Sequence, residues 1–294
     1  MRKWIPFLFL FLILSSQGYG GGFASLQLGG DARAGALGMA YTALSDDGSG
    51  SYWNPAGLVR SGEKELILSV QRWIEDVQSA FLGFGMGRAN TGLGIHILHT
   101  EVSGLEYRIV PSPTPIHFFS THELIVGISY GRIIRDNLSI GITLKSLYEK
   151  LFVEEAFGLA ADFGFLYSIW DNELRVGGVL QNVGKTNLMR HEAITLPVTA
   201  KVGFAFSIPI FRNDCLFVLD GIKGVDLPYH VHTGIEYGWW NRLSIRLGYQ
   251  IGYETRSITG GIGLAWDRYR LNYSYMPLHS GFGDSHRLSI GLVL

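Results

Sequence analysis

From residue 64 to the end, the chain alternates apolar and polar residues in long runs. Segment 137–145 is one example, and segments 242–251, 267–276 and 285–294 show the same period of two. Such alternation predicts β-strands with one apolar and one polar face. Strands of soluble sandwiches usually have five or six residues, whereas these runs have about nine to eleven, the length that a tilted strand needs to cross a bilayer. The pattern therefore predicts an all-β, membrane-spanning antiparallel barrel.

The connections between the predicted strands fall into two classes. Those after the even-numbered strands are tight turns, whereas the long ones, such as 103–121 and 185–196, all follow odd-numbered strands. Outer-membrane barrels have an even number of strands, short periplasmic turns and long outer loops, so both termini are predicted to be periplasmic. About fourteen strands are predicted, over 64–73, 76–87, 91–102, 122–132, 137–149, 155–169, 173–183, 197–209, 213–222, 229–238, 242–251, 256–265, 267–276 and 285–294.

The composition agrees with a wall that faces lipid. Hydrophobic residues make up 47% of the chain and charged residues only 17%, against about a quarter charged in soluble domains. The formal net charge of −1 gives no electrostatic support for nucleic-acid binding. Cys215 is the only cysteine, so an intrachain disulfide is excluded. Aromatic residues favour the headgroup level, and Trp170, Trp239, Trp240 and Trp266 all fall at predicted periplasmic turns.

The first twenty residues have the pattern of a secretory signal peptide. Arg2 and Lys3 are followed by an apolar run over 5–14 and small residues over 15–20. An apolar run of about ten residues is too short for a spanning helix, which needs roughly twenty. We therefore expect residues 1–20 to be removed on export, with Gly20 or Ala24 as the candidate cleavage positions.

Residues 21–62 lack the strand pattern and are predicted to form a plug inside the barrel, with 63–294 as its wall. Small residues dominate, and Ala34, Leu37, Gly38 and Tyr41 recur at helical spacing. A residue before proline is biased out of the helical region, which predicts a turn at Asn54. The expected fold is a short helix, a polar turn and an Asn-Pro-Ala turn on the periplasmic side. The plug motif residues are Arg33, Gly38, Asp46, Asp47, Asn54, Pro55, Ala56 and Gly57.

This segment resembles the N-terminal signature of the PorV/PorQ family of outer-membrane proteins, within the FadL-like barrels. Asp46-Asp47 and Asn54-Pro55-Ala56-Gly57-Leu58 match the family pattern directly, whereas segments 31–34 and 37–40 replace its opening elements. Segments 180–184 and 283–287 resemble later family motifs, and Leu294 stands where an aromatic residue is usual. The resemblance implies a FadL-like barrel with a plug, in the outer membrane of a Gram-negative-type bacterium.

Charged residues fall on the less apolar face of the predicted strands. A charge at the midplane of the lipid face costs about 2–4 kcal/mol, so these residues are predicted to face the lumen. They either anchor the plug or line a path for a solute. One hypothesis is that Arg33 pairs with Asp162 or Glu236. The lumen-facing candidates are Lys145, Asp162, Arg175, Lys201, Glu236, Arg246, Arg268, Arg270 and Arg287.

The sequence gives no support for an enzyme. The glycine-rich run 83–87 lies in a predicted strand and not between a strand and a helix, which argues against a phosphate-binding loop. His230 and His232 share a strand face, but no further ligand completes a metal site. Adjacent Asp46 and Asp47 suit a polar turn better than paired-carboxylate catalysis. No catalytic residue, metal or cofactor is predicted.

Two functions follow from the resemblance. The PorV/PorQ pattern implies an accessory barrel of protein secretion, as in type IX secretion, with secretion components or secreted cargo as partners and the apolar loop 103–121 as contact surface. The FadL-like fold implies the alternative, a transporter of hydrophobic small molecules such as fatty acids. A hydrophobic ligand would then lie in the lumen against inward-facing members of Phe81, Phe84, Phe163 and Phe165. Outer-membrane lipid and the barrel-assembly machinery are expected partners of either, and nucleic acid is not.

Overall fold

A computed structural model describes residues 22–294 of the chain except 63, 75, 171–172, 190–191, 211–212, 226–227, 241, 280 and 282. The predicted signal peptide, residues 1–20, lies outside the described residues. No helix in the described part of the chain is long and apolar enough to cross a membrane.

Fourteen antiparallel strands close into a single barrel, which confirms the predicted fold. Each strand pairs with its sequence neighbours, β7 pairs with β10 across a small hairpin, and β16 closes the ring on β1. The strands are β1 (Glu65–Arg72), β2 (Val77–Arg88), β3 (Thr91–Tyr107), β4 (His117–Arg135), β5 (Leu138–Leu151), β6 (Glu154–Ile169), β7 (Leu174–Thr186), β8 (Leu188–Met189) and β9 (Glu192–Ala193) of the hairpin, β10 (Thr199–Ile210), β11 (Asn213–Gly224), β12 (Tyr229–Trp239), β13 (Leu243–Ile251), β14 (Ile258–Trp266), β15 (Tyr269–Pro277) and β16 (Asp284–Val293).

Alternation puts apolar side chains on the outside of the wall. Leu68 and Ile290, which are direct partners across the closing β1–β16 pair, are 51% and 49% exposed. Their sequence neighbours Ser69 and Ser289 face the lumen and are buried. The same pattern recurs around the barrel, so its outer surface carries an apolar belt far larger than a water-soluble protein normally exposes. Such a surface is favourable when it faces the hydrocarbon chains of a lipid bilayer.

The two ends of the barrel differ in their connections. At one end, here called the turn end, short turns join β2 to β3, β4 to β5 and the following pairs, and the four tryptophans named above lie there. The opposite end, called the loop end, carries the longer segments, including 187–198 and 252–257. The predicted loop 103–121 is shorter than expected, because β3 and β4 continue as a projecting hairpin and leave only 108–116 outside the ladder.

Residues before β1 fill the lumen. They form a 3-10 turn (Ala24–Gln27), helix α1 (Ala32–Ala36), helix α2 (Gly50–Trp53) and a 3-10 helix (Pro55–Arg60). The segment enters near the loop end, where Gly22 lies beside Ile194 and Glu149, and it runs down to the turn end before β1 begins. Leu294 lies at the turn end, bonded to Lys64. The first described residue and the last one therefore lie at opposite ends of the barrel.

Candidate functional site

Asp31 organises the short helices of the plug. Its side chain caps α1 by accepting a hydrogen bond from the backbone N–H of Ala34 at 2.9 Å. The other carboxyl oxygen accepts from Nε1 of Trp53 at 2.8 Å, which ties α1 to α2. Trp53 is almost fully buried, so the indole nitrogen needs this partner. The sequence motif did not single out Asp31, although an Asp before a small-residue helix is a typical N-cap signal.

Arg33 connects the plug to the wall. Its Nε and Nη2 atoms both donate to the carboxylate of Glu236 on β12, each at 2.9 Å. Its Nη1 atom lies 3.1 Å from Asp46. Arg246 of β13 binds the same Glu236 carboxylate from the wall side. Of the two partners in the Arg33 hypothesis, the structure provides Glu236, whereas Asp162 pairs with Lys145.

The two adjacent aspartates have different surroundings. Asp46 binds both Arg33 and Arg175, the latter at 3.1 Å. Burial alone would raise the pKa of Asp46, but these two guanidinium groups bring it below the ordinary value. Asp47 accepts hydrogen bonds from Tyr41 and from the N–H and hydroxyl of Ser49. Burial, reinforced by neighbouring carboxylates, raises the pKa of Asp47 to about 7.

The Asn-Pro-Ala turn is seated directly against the wall. Asn54 caps the 3-10 helix by accepting from the N–H of Ala56 at 3.1 Å, and Pro55 occupies the first helical position. The amide of Asn54 donates to the carbonyls of Thr42 and Phe165, at 2.8 and 3.1 Å. Ala56 is fully buried. The motif therefore joins the plug backbone to strand β6.

Glycines make this close approach feasible. A Cβ at Gly57 would lie 2.1 Å from the carbonyl oxygen of Ser45, and one at Gly141 of β5 would lie 2.4 Å from the backbone nitrogen of Ala56. Gly38 has φ +67°, in the left-handed region that favours glycine. Its N–H donates to Thr259, and its carbonyl accepts from Gln250, both at 3.0 Å.

Most of the predicted lumen-facing charges contact the plug or each other. Arg287 of β16 donates to the carbonyl oxygens of Leu28 and Asp31, both at 2.7 Å. Arg270 of β15 reaches Glu65 at 3.2 Å at the turn end. The prediction for Arg268 is wrong. Arg268 lies in the exposed turn between β14 and β15, because β15 begins only at Tyr269.

A second group of charges lies deeper among β5, β6, β10 and β11. Lys145 and Asp162 form a buried ion pair at 2.6 Å, and Lys145 also donates to Asn182 at 2.8 Å. The ammonium of Lys201 lies 5.4 Å from the ring centre of Trp53, in cation–π range. Within the described residues no cluster of three or more His, Cys, Asp or Glu side chains is arranged to hold a metal.

Asp220 of β11 is an anchor that the sequence pattern missed. Its Oδ2 atom accepts from the backbone N–H groups of Tyr41 and Thr42, at 2.9 and 3.0 Å, and from the Thr42 hydroxyl at 2.7 Å. Leu216, Val218 and Ile222 share its strand face, so no polar face was visible in that strand.

The lumen divides into a polar part and an apolar part. At the turn end, a cavity of about 210 Å³ lies between the plug and the wall, lined by charged side chains that include Arg33, Glu65, Glu236 and Arg270. Towards the loop end, the inward faces of β2 to β5 form a continuous apolar row. The row consists of Phe81, Leu98, Ile125 and Leu147, which are direct cross-strand neighbours and buried.

The apolar row is covered by the start of the plug itself. Phe23 and Leu26 are buried and belong to the same hydrophobic cluster as the row. Phe81 is the one inward-facing member of the four predicted lumen phenylalanines, since Phe84, Phe163 and Phe165 point away from the lumen. We call the apolar row with its cover the outer chamber. It can hold apolar groups and exclude water from them.

The fold, a closed and plugged fourteen-strand barrel, is similar to those of several solved structures. The CymD monoaromatic hydrocarbon channel shares 12% sequence identity over 91% of this chain and 98% of its own, with a TM-score of 0.65. The Pseudomonas putida toluene transporter TodX shares 13% identity over 90% and 99%, with a TM-score of 0.64. A Pseudomonas aeruginosa FadL homologue shares 10% identity over 90% and 98%, with a TM-score of 0.62.

At these identities the comparisons establish a FadL-like fold. No protein-family model matches the chain, and no curated protein matches it. The predicted barrel class is thereby confirmed, whereas the PorV/PorQ assignment is not.

Proposed function

We propose that this protein is an outer-membrane channel of a Gram-negative-type bacterium that passes small hydrophobic molecules. The observation that carries the proposal is the outer chamber, an apolar row on the lumen side of the wall that is filled and covered by a short segment of the chain itself. A diffusion pore for polar solutes would have a water-filled, polar lumen throughout. Here an apolar row from β2 to β5 lies towards the loop end, beside charged groups that bind the plug or each other.

The anchoring of the plug supports a gate with one fixed and one movable part. From Asp31 to Pro55 the plug is held by Glu236, Asp220, Arg175 and Arg287 of the wall. Above it, residues 22–30 contact the wall through apolar side chains, the Ser25–Glu123 hydrogen bonds and the hydrogen bond from Arg287 to the carbonyl of Leu28. The upper segment is thus the part that opens at lower cost, because it breaks fewer charged contacts.

The similar structures support this proposal. They are a monoaromatic hydrocarbon channel, a toluene transporter and a FadL homologue. Hydrophobic-solute passage, the alternative function that the sequence predicts, is therefore favoured over a secretion role.

Uptake by whole cells tests the proposal. Cells that express the barrel should take up radiolabelled toluene faster than cells without it, since lipopolysaccharide slows apolar solutes and the chamber bypasses it. The matched control is a variant whose plug is held by a disulfide, described in the Discussion, expressed at the same level. Equal uptake with and without the barrel, at verified folding, would contradict the proposal.

One observation favours a second candidate, the PorV/PorQ-type secretion accessory. The projecting β3–β4 hairpin exposes apolar side chains beyond the barrel rim, including Ile109, Val110, Ile116 and Phe118. Pull-down from detergent-solubilised membranes tests it: secreted proteins or secretion components should be recovered with the native protein and lost when Ile109 and Phe118 are replaced by serine. Recovery of the barrel alone would remove this candidate.

A further inference from the structure

The outer chamber has a polar rim on the side of the long loops. One step along the strands from the apolar row, the inward positions are Thr100, Glu123 and Glu149. Glu123 and Glu149 are direct partners across the antiparallel β4–β5 pair. Both lie two residues from a member of the apolar row, so their carboxyl groups face the same space. The chamber is therefore an apolar surface, filled by the plug segment, with two acidic groups at its rim.

Two carboxyl groups in directly opposite positions are unfavourable without donors between them. The basic side chains of β5 are engaged elsewhere, since Lys145 binds Asp162 and Lys150 binds Glu155. Within the described residues, Oε2 of Glu149 has no hydrogen-bond partner. The wall thus leaves acceptor capacity at the rim, and the backbone of Phe23 in the plug uses part of it by a hydrogen bond to Glu149.

The chain itself shows what fits the chamber. The backbone N–H of Ser25 donates to Oε2 of Glu123 at 3.1 Å, and the Ser25 hydroxyl donates to the same oxygen at 2.5 Å. Below these donors, the ring of Phe23 and the branched side chain of Leu26 are buried in the apolar cluster. Gly22 lies beside Glu149. The occupant is an aromatic ring and a short alkyl group beneath hydrogen-bond donors.

The geometry points to a ligand that replaces this segment and shares its chemistry. It is a neutral or cationic amphipathic molecule with an apolar body the size of one ring and a short alkyl arm, whose polar end donates to Glu123 and Glu149. A carboxylate is disfavoured, because it would bring a third negative group to the rim and no donor. This assignment of ligand class rests on the proposed channel function.

Three probes with the same apolar body separate the ligand classes. We would measure binding of 4-phenylbutylammonium, 4-phenylbutanol and 4-phenylbutyrate to the purified full-length barrel in detergent at pH 7, by titration calorimetry. The wild type should bind the ammonium and the alcohol at least about tenfold more tightly than the carboxylate, a difference of about 1.4 kcal/mol. The Glu123→Gln/Glu149→Gln variant should lose this preference.

Matched controls keep the result specific. Glu155→Gln removes a carboxyl group at the same end of the barrel that binds Lys150 instead of facing the chamber, so it should keep the preference. Glu149→Gln alone leaves the Ser25–Glu123 contacts in place and guards against misfolding of the double variant. The Glu149→Gln variant should show a smaller preference for the ammonium and the alcohol over the carboxylate than the wild type. Heat-modifiable gel migration verifies that each variant is folded.

Two failures would be told apart. If the wild type binds 4-phenylbutyrate as tightly as 4-phenylbutylammonium, or if the folded double variant keeps the preference, the assigned ligand class is wrong while toluene uptake still supports a channel. If none of the probes binds and toluene uptake is absent as well, both the ligand class and the channel function are wrong.

Discussion

Glu236 is the wall residue on which the plug depends most directly. Its carboxylate binds Arg33 of the plug through two hydrogen bonds and Arg246 of the neighbouring strand through another. Both arginines and Glu236 are largely buried. Such a group stabilises the fold only while it is complete, since loss of one partner leaves an uncompensated charge.

We therefore expect Glu236→Gln to destabilise the folded barrel by about 3 kcal/mol, near the lower limit for a broken buried pair because Arg33 retains Asp46. Urea unfolding in lipid vesicles, followed by tryptophan fluorescence, measures this. Arg268→Gln serves as the control, since its contact with Asp267 spans 4.0 Å and is exposed. It should change stability by less than about 0.5 kcal/mol. Equal effects of both substitutions would refute the anchoring role of Glu236.

The aspartate pair makes stability depend on pH in opposite directions. Asp47 has a raised pKa of about 7 when folded, against about 3.9 when unfolded. The contribution of Asp47 to the free energy of unfolding is therefore most favourable below the pKa of the unfolded state. It is lost as the pH rises through the pKa of the folded state. The lowered pKa of Asp46 gives a contribution that is present above its unfolded value and lost on acidification through the folded one.

In the wild type, the free energy of unfolding should decrease as the pH rises from about 4 to about 7, and Asp47→Asn should make this decrease smaller. Asp46→Asn should instead reduce stability at pH 7 and have little effect once both states are protonated. The free energy of unfolding measured at several pH values for both variants and the wild type checks this. A wild-type-like pH profile in Asp47→Asn would show that this carboxyl group does not carry the dependence.

Strands and plug fit together because wall glycines replace side chains where the backbones meet. Gly131, Gly141 and Gly164 face the Asn54–Ala56 turn from β4, β5 and β6. A Cβ at any of them would come within 2.6 Å of a plug atom. The turn thus presses against three successive strands. This contact explains why these three wall positions are glycine.

Gly141→Ala should accordingly prevent the normal seating of the plug. Its Cβ would meet backbone atoms of Pro55 and Ala56, which cannot rotate away. We expect a loss of at least about 1–3 kcal/mol, as for an overpacked core site. Gly260→Ala is the control, since its nearest atom would be 3.7 Å away. Limited proteolysis of the plug and urea unfolding compare the two. An unaffected Gly141→Ala barrel would contradict the described contact.

The strands could be predicted from the sequence because every second residue of a barrel strand faces lipid and must be apolar. Each predicted barrel strand matches an observed one to within a few residues, apart from the extra length of β3 and β4. The same rule wrongly predicted that Arg268 faces the lumen. The alternating pattern of β15 extends back to Arg268 in the sequence, but this residue lies in the turn before the strand. Periodicity locates faces well and strand ends poorly.

The outer chamber could not be predicted because its parts share no local pattern. Phe23 and Leu26 precede the recognised motif, and Ser25 meets Glu123 from 98 residues away. Asp220 was hidden in a strand with apolar residues on both faces. Only the closed barrel brings these residues together. The PorV/PorQ resemblance, in turn, rests on motifs that hold the plug in place. These motifs carry no information on which molecules the barrel binds or transports.

The whole molecule is a closed wall around a plug, with a lower part held by several charged contacts and a small upper part over the apolar chamber. The proposed channel function requires the upper segment, residues 22–30, to leave the chamber. With cleavage at Gly20, the mature chain keeps Gly22 and offers a site to prevent this. A Cβ at Gly22 would lie 3.3 Å from the Cβ of Ile194 in the 187–198 loop. Disulfides span Cβ separations of about 3.5–4.5 Å, so a small adjustment allows one here.

The most direct test is uptake of radiolabelled toluene by cells that express Gly22→Cys/Ile194→Cys in a Cys215→Ser background, oxidised and then reduced. Ile194→Cys alone is the control, and gel migration with and without reductant verifies the disulfide and the fold. We predict that oxidation lowers uptake to the level of cells without the barrel and that reduction restores it. Equal uptake by the oxidised and reduced forms would contradict a channel gated by the upper plug segment.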